Sequence, residues 1–295
     1  MPTPALYAIC VLIWGTTWFA ITAQIDVLAP AVGVALRFGL AALALMLACR
    51  VRGIALRQPR RVHLLLLAQG LAGFCASYIC VYEAERRVVS GVVAVGFAAS
   101  PLFGLILARG FLGTRMSGRV ALGGVIGIVG VLLIFAHEFA RISASHQVVV
   151  GAELTMASVL LSSLATIAAS RAHRLGASGW SPLAWAMGYG AAGAALFALA
   201  EGVPWGWSWR PQFVGSLLYL AVFGSIIAFG AYFALLHRLG AAQVGYVGVL
   251  TPVVALVVSS AFEHFVWTGL TVAGVALALA GNLVSMWPGA RRRAV

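Results

Sequence analysis

Charged residues are scarce in this chain. Only 9% of its 295 residues are Asp, Glu, Lys or Arg, whereas 62% are hydrophobic and the mean hydropathy is +1.03. This composition excludes a soluble globular domain and indicates a polytopic helical membrane protein. Lysine is absent, and nearly all of the 19 arginines lie in short connections rather than on one face of a folded domain. The net charge of +12 therefore does not indicate binding to nucleic acid.

Motifs for catalysis inside a membrane are absent as well. The sequence contains no HExxH, no GxSxG and no glycine-rich phosphate loop, and no Asp or Glu lies well inside an apolar segment. A hydrolase needs a nucleophile with a base or a metal cluster, and a classical proton relay uses buried carboxylates. We therefore expect neither an enzyme nor an ATP-driven pump, and no cofactor. Because the cysteines form no CxxC and none has a His at metal spacing, we expect no disulfide and no metal site from Cys10, Cys49, Cys75 and Cys80.

Ten apolar segments fill the chain, each long enough to cross roughly 30 Å of hydrocarbon as a helix. They lie near 5–23, 31–49, 63–82, 89–108, 119–136, 152–170, 181–199, 214–236, 243–260 and 269–287. The sequence therefore predicts an all-α polytopic membrane protein with ten transmembrane helices. Little chain remains for a soluble domain, which argues against a receptor or an assembly protein.

The charges between the predicted spans are sorted by side. The arginine-rich side holds fourteen arginines and no acid: Arg50, Arg52, Arg57, Arg60, Arg61, Arg109, Arg115, Arg119, Arg171, Arg174, Arg238, Arg291, Arg292 and Arg293. The arginine-poor side holds Arg86, Arg87, Arg141, Arg210, Asp26, Glu83, Glu85, Glu138, Glu201 and Glu263. Basic connections stay in the cytoplasm, so we expect a multi-pass protein of the cell inner membrane with both termini cytoplasmic.

The two halves of the sequence match each other. A shift of 151 residues superimposes several pairs, namely Gly73 on Gly224, Arg87 on Arg238, Val93 on Val244, Pro101 on Pro252, Leu105 on Leu256, Phe111 on Phe262, Gly123 on Gly274 and Gly130 on Gly281. We expect two repeats, 1–147 and 148–295, each with five spans. Because five is odd, the copies enter the membrane in opposite directions. Inverted repeats build secondary transporters, with the substrate site at the repeat interface near the midplane.

Several motifs resemble the drug/metabolite transporter superfamily in its ten-helix EamA branch. The segment 12–19 (LIWGTTWF) is similar to the LWGxxF opening of that family, and 30–38 is similar to its second span. Ser100-Pro101 and Thr251-Pro252 resemble the Ser/Thr-Pro pairs of its fourth and ninth spans, and 217–242 resembles the eighth span and its exit. The resemblance covers essentially the full chain. It implies two five-helix bundles around a central cavity and usually the export of amino acids or related metabolites.

The chain departs from that family at the glutamate that usually follows each of these prolines. The first copy reads Gly113-Thr114-Arg115, with no Glu, and in the second copy Glu263 comes early. The role of those glutamates in relatives therefore does not transfer directly to this chain.

Arg37 is the clearest charged residue inside a predicted span. Charge in hydrocarbon is costly and usually functional, so Arg37 is a candidate contact for a substrate carboxylate. Alternatively, Arg37 extends toward the interface, or pairs with Asp26 or a backbone carbonyl, and so fixes the position of its helix.

Aromatic and amide side chains in the spans are further candidates for a substrate cavity. The proposed binding residues besides Arg37 are Trp14, Gln69, Tyr78 and Tyr246, with Trp18, Tyr82 and Gln243 as weaker candidates. Aromatic walls with a few directed hydrogen bonds suit an amphipathic zwitterion. Helix packing or lipid contact is the alternative role for these side chains.

Prolines and glycines mark candidate bends and close contacts. Pro101 and Pro252 lie at matched depth and predict kinks that serve in gating, since a proline frees a carbonyl four residues earlier. Gly123 and Gly127 form a GxxxG pattern, which predicts close helix packing within the fold or, alternatively, a homodimer face.

Taken with the inverted repeat, these features favour a secondary transporter of the cytoplasmic membrane. We expect export of a small amino-acid-like or related metabolite by alternating access. The alternative is uptake or exchange of a nucleotide-sugar or phosphorylated metabolite, which needs more than one buried cation. The expected partners are a small-molecule substrate and the lipid bilayer, with no nucleic acid, and the chain is a monomer or a homodimer.

Overall fold

The structure is a computed structural model that describes residues 1–113, 118–141, 146–239, 244 and 246–286, without the side chains at 137–141, 236, 237, 246 and 286. The described residues form ten helices. They are α1 (Thr3–Ile25), α2 (Pro30–Val51), α3 (Arg60–Glu85), α4 (Ser90–Leu112), α5 (Gly118–Arg141), α6 (His146–Arg174), α7 (Trp180–Ala200), α8 (211–239), α9 (Tyr246–Phe262) and α10 (Gly269–Met286).

The predicted fold class is confirmed. The helices α1 to α8 each contain a segment of at least 18 residues that is apolar enough to cross a membrane, and α9 and α10 are shorter and equally apolar in character. No strand occurs among the described residues. The chain is therefore an all-helical, ten-helix membrane protein.

The third helix is longer than predicted, and this corrects one expectation. The predicted span 63–82 ends before Glu83 and Glu85, whereas α3 continues through Glu85. Glu85 is only 7% exposed. Glu85 is therefore a buried acid at the last residue of α3, beyond the end of the predicted span. Hydropathy ends a span at the first charges, whereas a helix continues wherever its backbone stays hydrogen-bonded and its side chains pack.

Both α3 and α8 contain a π-helical segment, at Gly70–Ala76 and Tyr219–Ile227 respectively. Gly73 and Gly224, which coincide under the 151-residue shift, lie within these segments. A π-helical segment displaces backbone carbonyls from their usual partners and frequently occurs at functional sites. In α8, the Ser225 hydroxyl donates to the carbonyl of Leu220 at 2.9 Å.

The core of the bundle lies where α7 packs against α2 and α3. Phe38 of α2 and Met187 of α7 are fully buried there. Glycines bring the backbones together: a Cβ on Gly70 of α3 would lie 2.4 Å from the Ala186 carbonyl oxygen, and one on Gly190 of α7 would lie 2.5 Å from the Phe74 Cβ. Without a hydrophobic driving force in lipid, such close van der Waals packing is what holds membrane helices together.

The helices α5 and α10 meet through two pairs of glycines. A Cβ on Gly281 would lie 2.3 Å from the Gly123 carbonyl oxygen, and a Cβ on Gly130 would lie 2.5 Å from the Gly274 carbonyl oxygen. The predicted close packing at Gly123 and Gly127 is therefore found within the chain, against α10. The two pairs, Gly123 with Gly281 and Gly130 with Gly274, are equivalent in the repeat. The 151-residue shift places Gly123 on Gly274 and Gly130 on Gly281.

At each end of the bundle, hydrogen bonds join segments that the charge pattern places on the same side of the membrane. At the arginine-rich end, Gln58 donates to the Ser181 hydroxyl at 3.1 Å, and Arg238 donates to the Met1 carbonyl at 2.8 Å. At the arginine-poor end, the Ser90 N–H donates to Glu263 Oε1 at 3.1 Å. The two ends are named accordingly below.

The glycine contact between α5 and α10 leads to a stability prediction. Gly281→Ala places a methyl group against the backbone of α5, and we expect it to destabilise the protein by about 1–3 kcal/mol through overpacking. The matched control is Gly104→Ala on α4, where nothing lies within 4 Å of an added Cβ. Thermal melting in detergent measures both variants. Equal melting temperatures for the two would contradict the backbone contact.

Candidate functional site

A cavity of about 490 Å³ opens between the first five and the last five helices. It reaches from Ile21 on α1 to Val120 on α5 and Ser285 on α10, which belong to the arginine-rich half of the bundle. The remaining lining residues are Trp14, Thr17, Trp18, Arg37, Tyr78, Ala94, Phe97, Ser100, Pro101, Phe229, Tyr232, Val244, Val247, Gly248, Thr251, Pro252 and Asn282. Aromatic and small side chains from both halves therefore form the wall.

Arg37 is the charged side chain among the described lining residues. It is 2% exposed, and its guanidinium carbon lies 4.9 Å from the centre of the Phe38 ring and 4.8 Å from that of Tyr78. These ring faces stabilise the cation. Its Nε and Nη1 have no hydrogen-bond partner among the described residues. Buried donors without partners are rare in folded proteins, and the residue that carries them borders the cavity.

The backbone of α8 lies beside this guanidinium and close to Thr17. A Cβ on Gly224 would lie 2.9 Å from Thr17 Cγ2 and 3.5 Å from Arg37 Nη2. Asp26, the acidic partner considered from the sequence, is exposed at the end of α1. Among the described residues, salt bridges join Glu83 to Arg86 and to Arg87. Arg37 is thus held by aromatic rings and shape rather than by an ion pair.

Trp14 forms the wall beside the π-helical segment of α8. Its indole N–H donates to the Gly224 carbonyl at 3.0 Å. Its ring lies against Phe229 and Tyr232, with centroid separations of 5.1 and 5.4 Å. The polar atom of Trp14 is therefore occupied by the protein, and the ring supplies an apolar surface.

Tyr78 connects the cavity to the core of α2 and α3. Its ring meets Phe38 edge to face at 4.7 Å and also lies against Arg37. Trp18, one helical turn beyond Trp14, packs against Phe97 of α4 at 5.1 Å. Three aromatic residues expected at the cavity, Trp14, Trp18 and Tyr78, do border it.

Two of the expected residues, Gln69 and Tyr82, do not border the cavity. Gln69 lies at the start of the π-helical segment of α3, half-buried, and does not border the cavity. The side chain of Tyr246 and the whole of Gln243 lie outside the described residues. Polarity within a span does not reveal which face of the helix Gln69 occupies, and its binding role stays a prediction.

Both prolines border the cavity, with different local geometry. Before Pro101, α4 passes through a short 3₁₀ turn at Phe97–Ala99, whereas Pro252 lies inside the continuous helix α9. The carbonyl of Phe97, four residues before Pro101, accepts a hydrogen bond from Ser100 at 2.7 Å. The Thr251 hydroxyl donates to the Val247 carbonyl at 2.8 Å. These hydroxyls serve the backbone beside each proline.

Sequence reasoning missed a polar cluster next to Arg37. The Tyr82 hydroxyl donates to Gln24 Oε1 at 2.8 Å, and Gln24 Nε2 and both Glu85 oxygens have no partner among the described residues. Arg37 interacts electrostatically with Tyr82 and with Glu85. The available signal was the spacing of Tyr78, Tyr82 and Glu85, which places them on one face of α3.

The chemistry of this site is that of binding. A guanidinium beside an aromatic cavity can donate hydrogen bonds to a carboxylate or another anionic group. Hydroxyl and amide groups at Ser285 and Asn282 add polar contacts near the arginine-rich end. Within the described ranges, no group of three or more His, Cys, Asp or Glu side chains is placed to hold a metal ion.

Comparison with known proteins agrees with this architecture. The model of the EamA-like transporter family matches the chain twice, at residues 3–136 and 149–287. A solved crystal structure of another protein has a TM-score of 0.67, with 19% identity over 96% of each chain. At that identity the likeness shows the fold alone.

Three relatives cover most of the chain. The "Probable terminal-alkyne amino-acid exporter" of Streptantibioticus cattleyicolor is 30% identical over 93% of this chain and 90% of its own. "Protein PagO" of Salmonella typhimurium is 26% identical over 85% and 82%. The "Uncharacterized inner membrane transporter YedA" of Escherichia coli K12 is 28% identical over 87% and 81%. The family model matches nearly the whole length of the chain. This ten-helix chain with a central cavity therefore belongs to the EamA-like transporter family of membrane transporters.

Proposed function

We propose that this transporter exports a small amino-acid-like metabolite across the cytoplasmic membrane by alternating access. The observation that carries the proposal is the buried guanidinium of Arg37, which borders the cavity with two unpaired nitrogens. A carboxylate can accept a hydrogen bond from such a donor, and hydrogen bonds of this charge-assisted kind are strong and directional.

The shape of the cavity favours a small, partly apolar solute. Its volume of about 490 Å³ lies within the range of ordinary small-molecule sites. Rings of Trp14, Phe229 and Tyr232 offer apolar surface to a side chain, while Arg37 offers one positive charge. The name of the Streptantibioticus relative, an amino-acid exporter, supports the same class of substrate.

The alternative substrate, a nucleotide-sugar or phosphorylated metabolite, carries at least one more negative charge. Arginine or lysine clusters normally recognise such groups. Arg37 is the only cation among the described residues that line the cavity. The charge of the cavity therefore favours a monocarboxylate over a phosphate ester.

Alternating access follows from treating 1–147 and 148–295 as inverted repeats. The family model matches each half separately. The π-helical segments of α3 and α8 occupy corresponding positions, and the glycine pairs of α5 and α10 are exchanged by the same shift. These correspondences support a pseudo-two-fold arrangement of the halves around the cavity. Pro101 and Pro252 border it at corresponding positions, where we propose that α4 and α9 bend.

Transport assays on Arg37 variants test the proposed binding role. In proteoliposomes with radiolabelled L-propargylglycine, a terminal-alkyne amino acid, we expect Arg37→Met to reduce counterflow by about 10- to 100-fold, as for loss of a charged hydrogen bond. Arg37→Lys should lose less, because the charge remains without the planar fork. UDP-glucose should not compete with the labelled amino acid.

The matched control is Arg210→Met, which changes an exposed arginine before α8 and should leave counterflow unchanged. Normal transport by Arg37→Met would contradict a substrate contact. If both Arg37 variants failed to insert into the membrane, Arg37 would instead have the structural role of fixing its helix.

Cysteine labelling tests the proposed orientation, with both termini in the cytoplasm. Ala55 lies exposed in the connection after α2, and Glu201 lies exposed after α7. In intact cells, a membrane-impermeant thiol reagent should label Glu201→Cys and should label Ala55→Cys only after lysis. The wild type, whose cysteines are buried or partly buried, sets the background. Labelling of Ala55→Cys in unlysed cells would reverse the orientation.

A further inference from the structure

A second cavity, of about 370 Å³, lies between α1, α2 and α8 at the arginine-rich end of the bundle. Among the described residues, it shares no lining residue with the central cavity. On α8, Ile227 and Gly230 border the second cavity, whereas Phe229 and Tyr232 border the central one. The two sites are therefore separate. We refer to the second cavity as the side groove, and its wall includes Ile9, Leu45, Ala48, Arg52, Ile227 and Gly230.

The wall of the side groove is apolar. Leu45 and Ala48 come from α2, and Ile227 comes from the π-helical segment of α8. Trp180, the first residue of α7, also borders the groove. Its ring lies against α8, where a Cβ on Gly230 would lie 2.7 Å from Cη2 of the indole. Such a wall offers a water-soluble solute few polar partners, whereas it matches a hydrocarbon chain.

The groove runs along the helices, with Arg52 at its outer end. The helix α2 ends at Val51, and Arg52 follows it directly. The rise of a helix places Leu45 about 10 Å deeper than Arg52. On α1, which runs in the opposite direction, Ile9 lies about 9 Å inside the first helical residue, Thr3. The deep end of the groove is therefore apolar on both helices, and its mouth carries a positive charge.

The side groove adjoins the surface that faces lipid. Leu47 of α2 and Phe223 of α8 are exposed, and neither borders the groove or the central cavity. Because both lie within helices that are apolar enough to span a membrane, they contact the bilayer. Ile227, four residues after Phe223, is 38% exposed and borders the groove. An acyl chain can therefore reach the groove directly from the bilayer.

The charge at the mouth is suited to an anionic group. Arg52 is exposed, and it is the only charged residue among the described residues that line the groove. The charge pattern places no acidic residue at this end of the protein, so no carboxylate of the chain competes for the guanidinium. Basic pockets between transmembrane helices at the membrane surface recognise anionic lipid headgroups.

We propose that the side groove binds an anionic phospholipid, with one acyl chain along its apolar wall and the phosphate on Arg52. The guanidinium donates charge-assisted hydrogen bonds to the phosphate oxygens. The chain fills apolar space between α1, α2 and α8, so the bound lipid stabilises the packing of these three helices. This site is separate from the central cavity, and the inference does not rest on the proposed export function.

Native mass spectrometry of the full chain, released from detergent with added lipid, tests the role of the charge. We expect phosphatidylglycerol to bind more tightly than phosphatidylcholine with the same chains, because choline cancels the negative charge of the phosphate. Arg52→Gln should weaken the binding of phosphatidylglycerol about fivefold, as for loss of one arginine at an anionic headgroup. Inorganic phosphate in excess should not displace the lipid, since it lacks the acyl chain.

The matched control for the charge is Arg50→Gln. Arg50 is also exposed at the end of α2, two residues before Arg52, and it does not border the groove. Binding of phosphatidylglycerol to this variant should equal that of the wild type. An equal loss in Arg50→Gln and Arg52→Gln would show diffuse attraction to the basic end of the protein and would overturn the site.

A second pair of variants tests the apolar wall. Ala48→Phe places a ring in the groove and should reduce lipid binding without any change of charge. Its control is Ala44→Phe, one helical turn earlier on α2, at an exposed residue that does not border the groove. Ala44→Phe should bind phosphatidylglycerol like the wild type. Unchanged lipid binding by a folded Ala48→Phe variant would contradict the proposed path of the chain.

Photo-crosslinking of the wild type locates the lipid even if Ala48→Phe fails to fold. Phosphatidylglycerol with a diazirine in one acyl chain should form adducts at Ile9, Leu45 or Ile227, and Arg52→Gln should reduce their yield. Adducts confined to other surfaces, or equal binding of phosphatidylglycerol and phosphatidylcholine, would overturn the inference. Displacement of the lipid by inorganic phosphate alone would show an anion site without a lipid chain and would overturn it as well.

Discussion

One buried cation determines how the central part of this protein is arranged. Placing a charged side chain at the centre of a membrane helix costs about 2.5–3.5 kcal/mol on insertion scales, so Arg37 requires compensation from its neighbours. The rings of Phe38 and Tyr78 supply part of it. Gly224 lies beside the guanidinium, and its carbonyl accepts a hydrogen bond from Trp14. Two guanidinium nitrogens still lack partners, and a substrate anion would complete the set.

The close helix contacts define a scaffold within the bundle. Glycines bring α5 within backbone contact of α10, and α3 within backbone contact of α7. Such contacts tolerate little movement, because a shift of one backbone drives it into the other. By contrast, α4 and α9 carry the prolines at the cavity and are joined at one end by hydrogen bonds to Glu263. We propose that movement is concentrated in these two helices.

The sequence predicts the scaffold better than the site. Ten spans follow from hydropathy, since each must be apolar along its whole length, and Arg37 stands out because charge in a span is rare. Trp14 and Tyr78 reach the cavity as expected, but Gln69 does not. Helix rotation is set by packing at glycines such as Gly70, and a single sequence does not state which face they turn inward. Glu85 was missed because charges near the end of a span look like a connection, whereas α3 extends through them.

The central claim is that Arg37 binds the carboxylate of the substrate, and ligand-induced thermal stabilisation of the purified protein tests it most directly. L-propargylglycine and its methyl ester differ only in the group that Arg37 is proposed to bind. The account predicts that the free acid raises the melting temperature of the wild type and that the ester does not. It also predicts no effect of either compound on Arg37→Met. Equal stabilisation of the wild type by acid and ester would contradict the account.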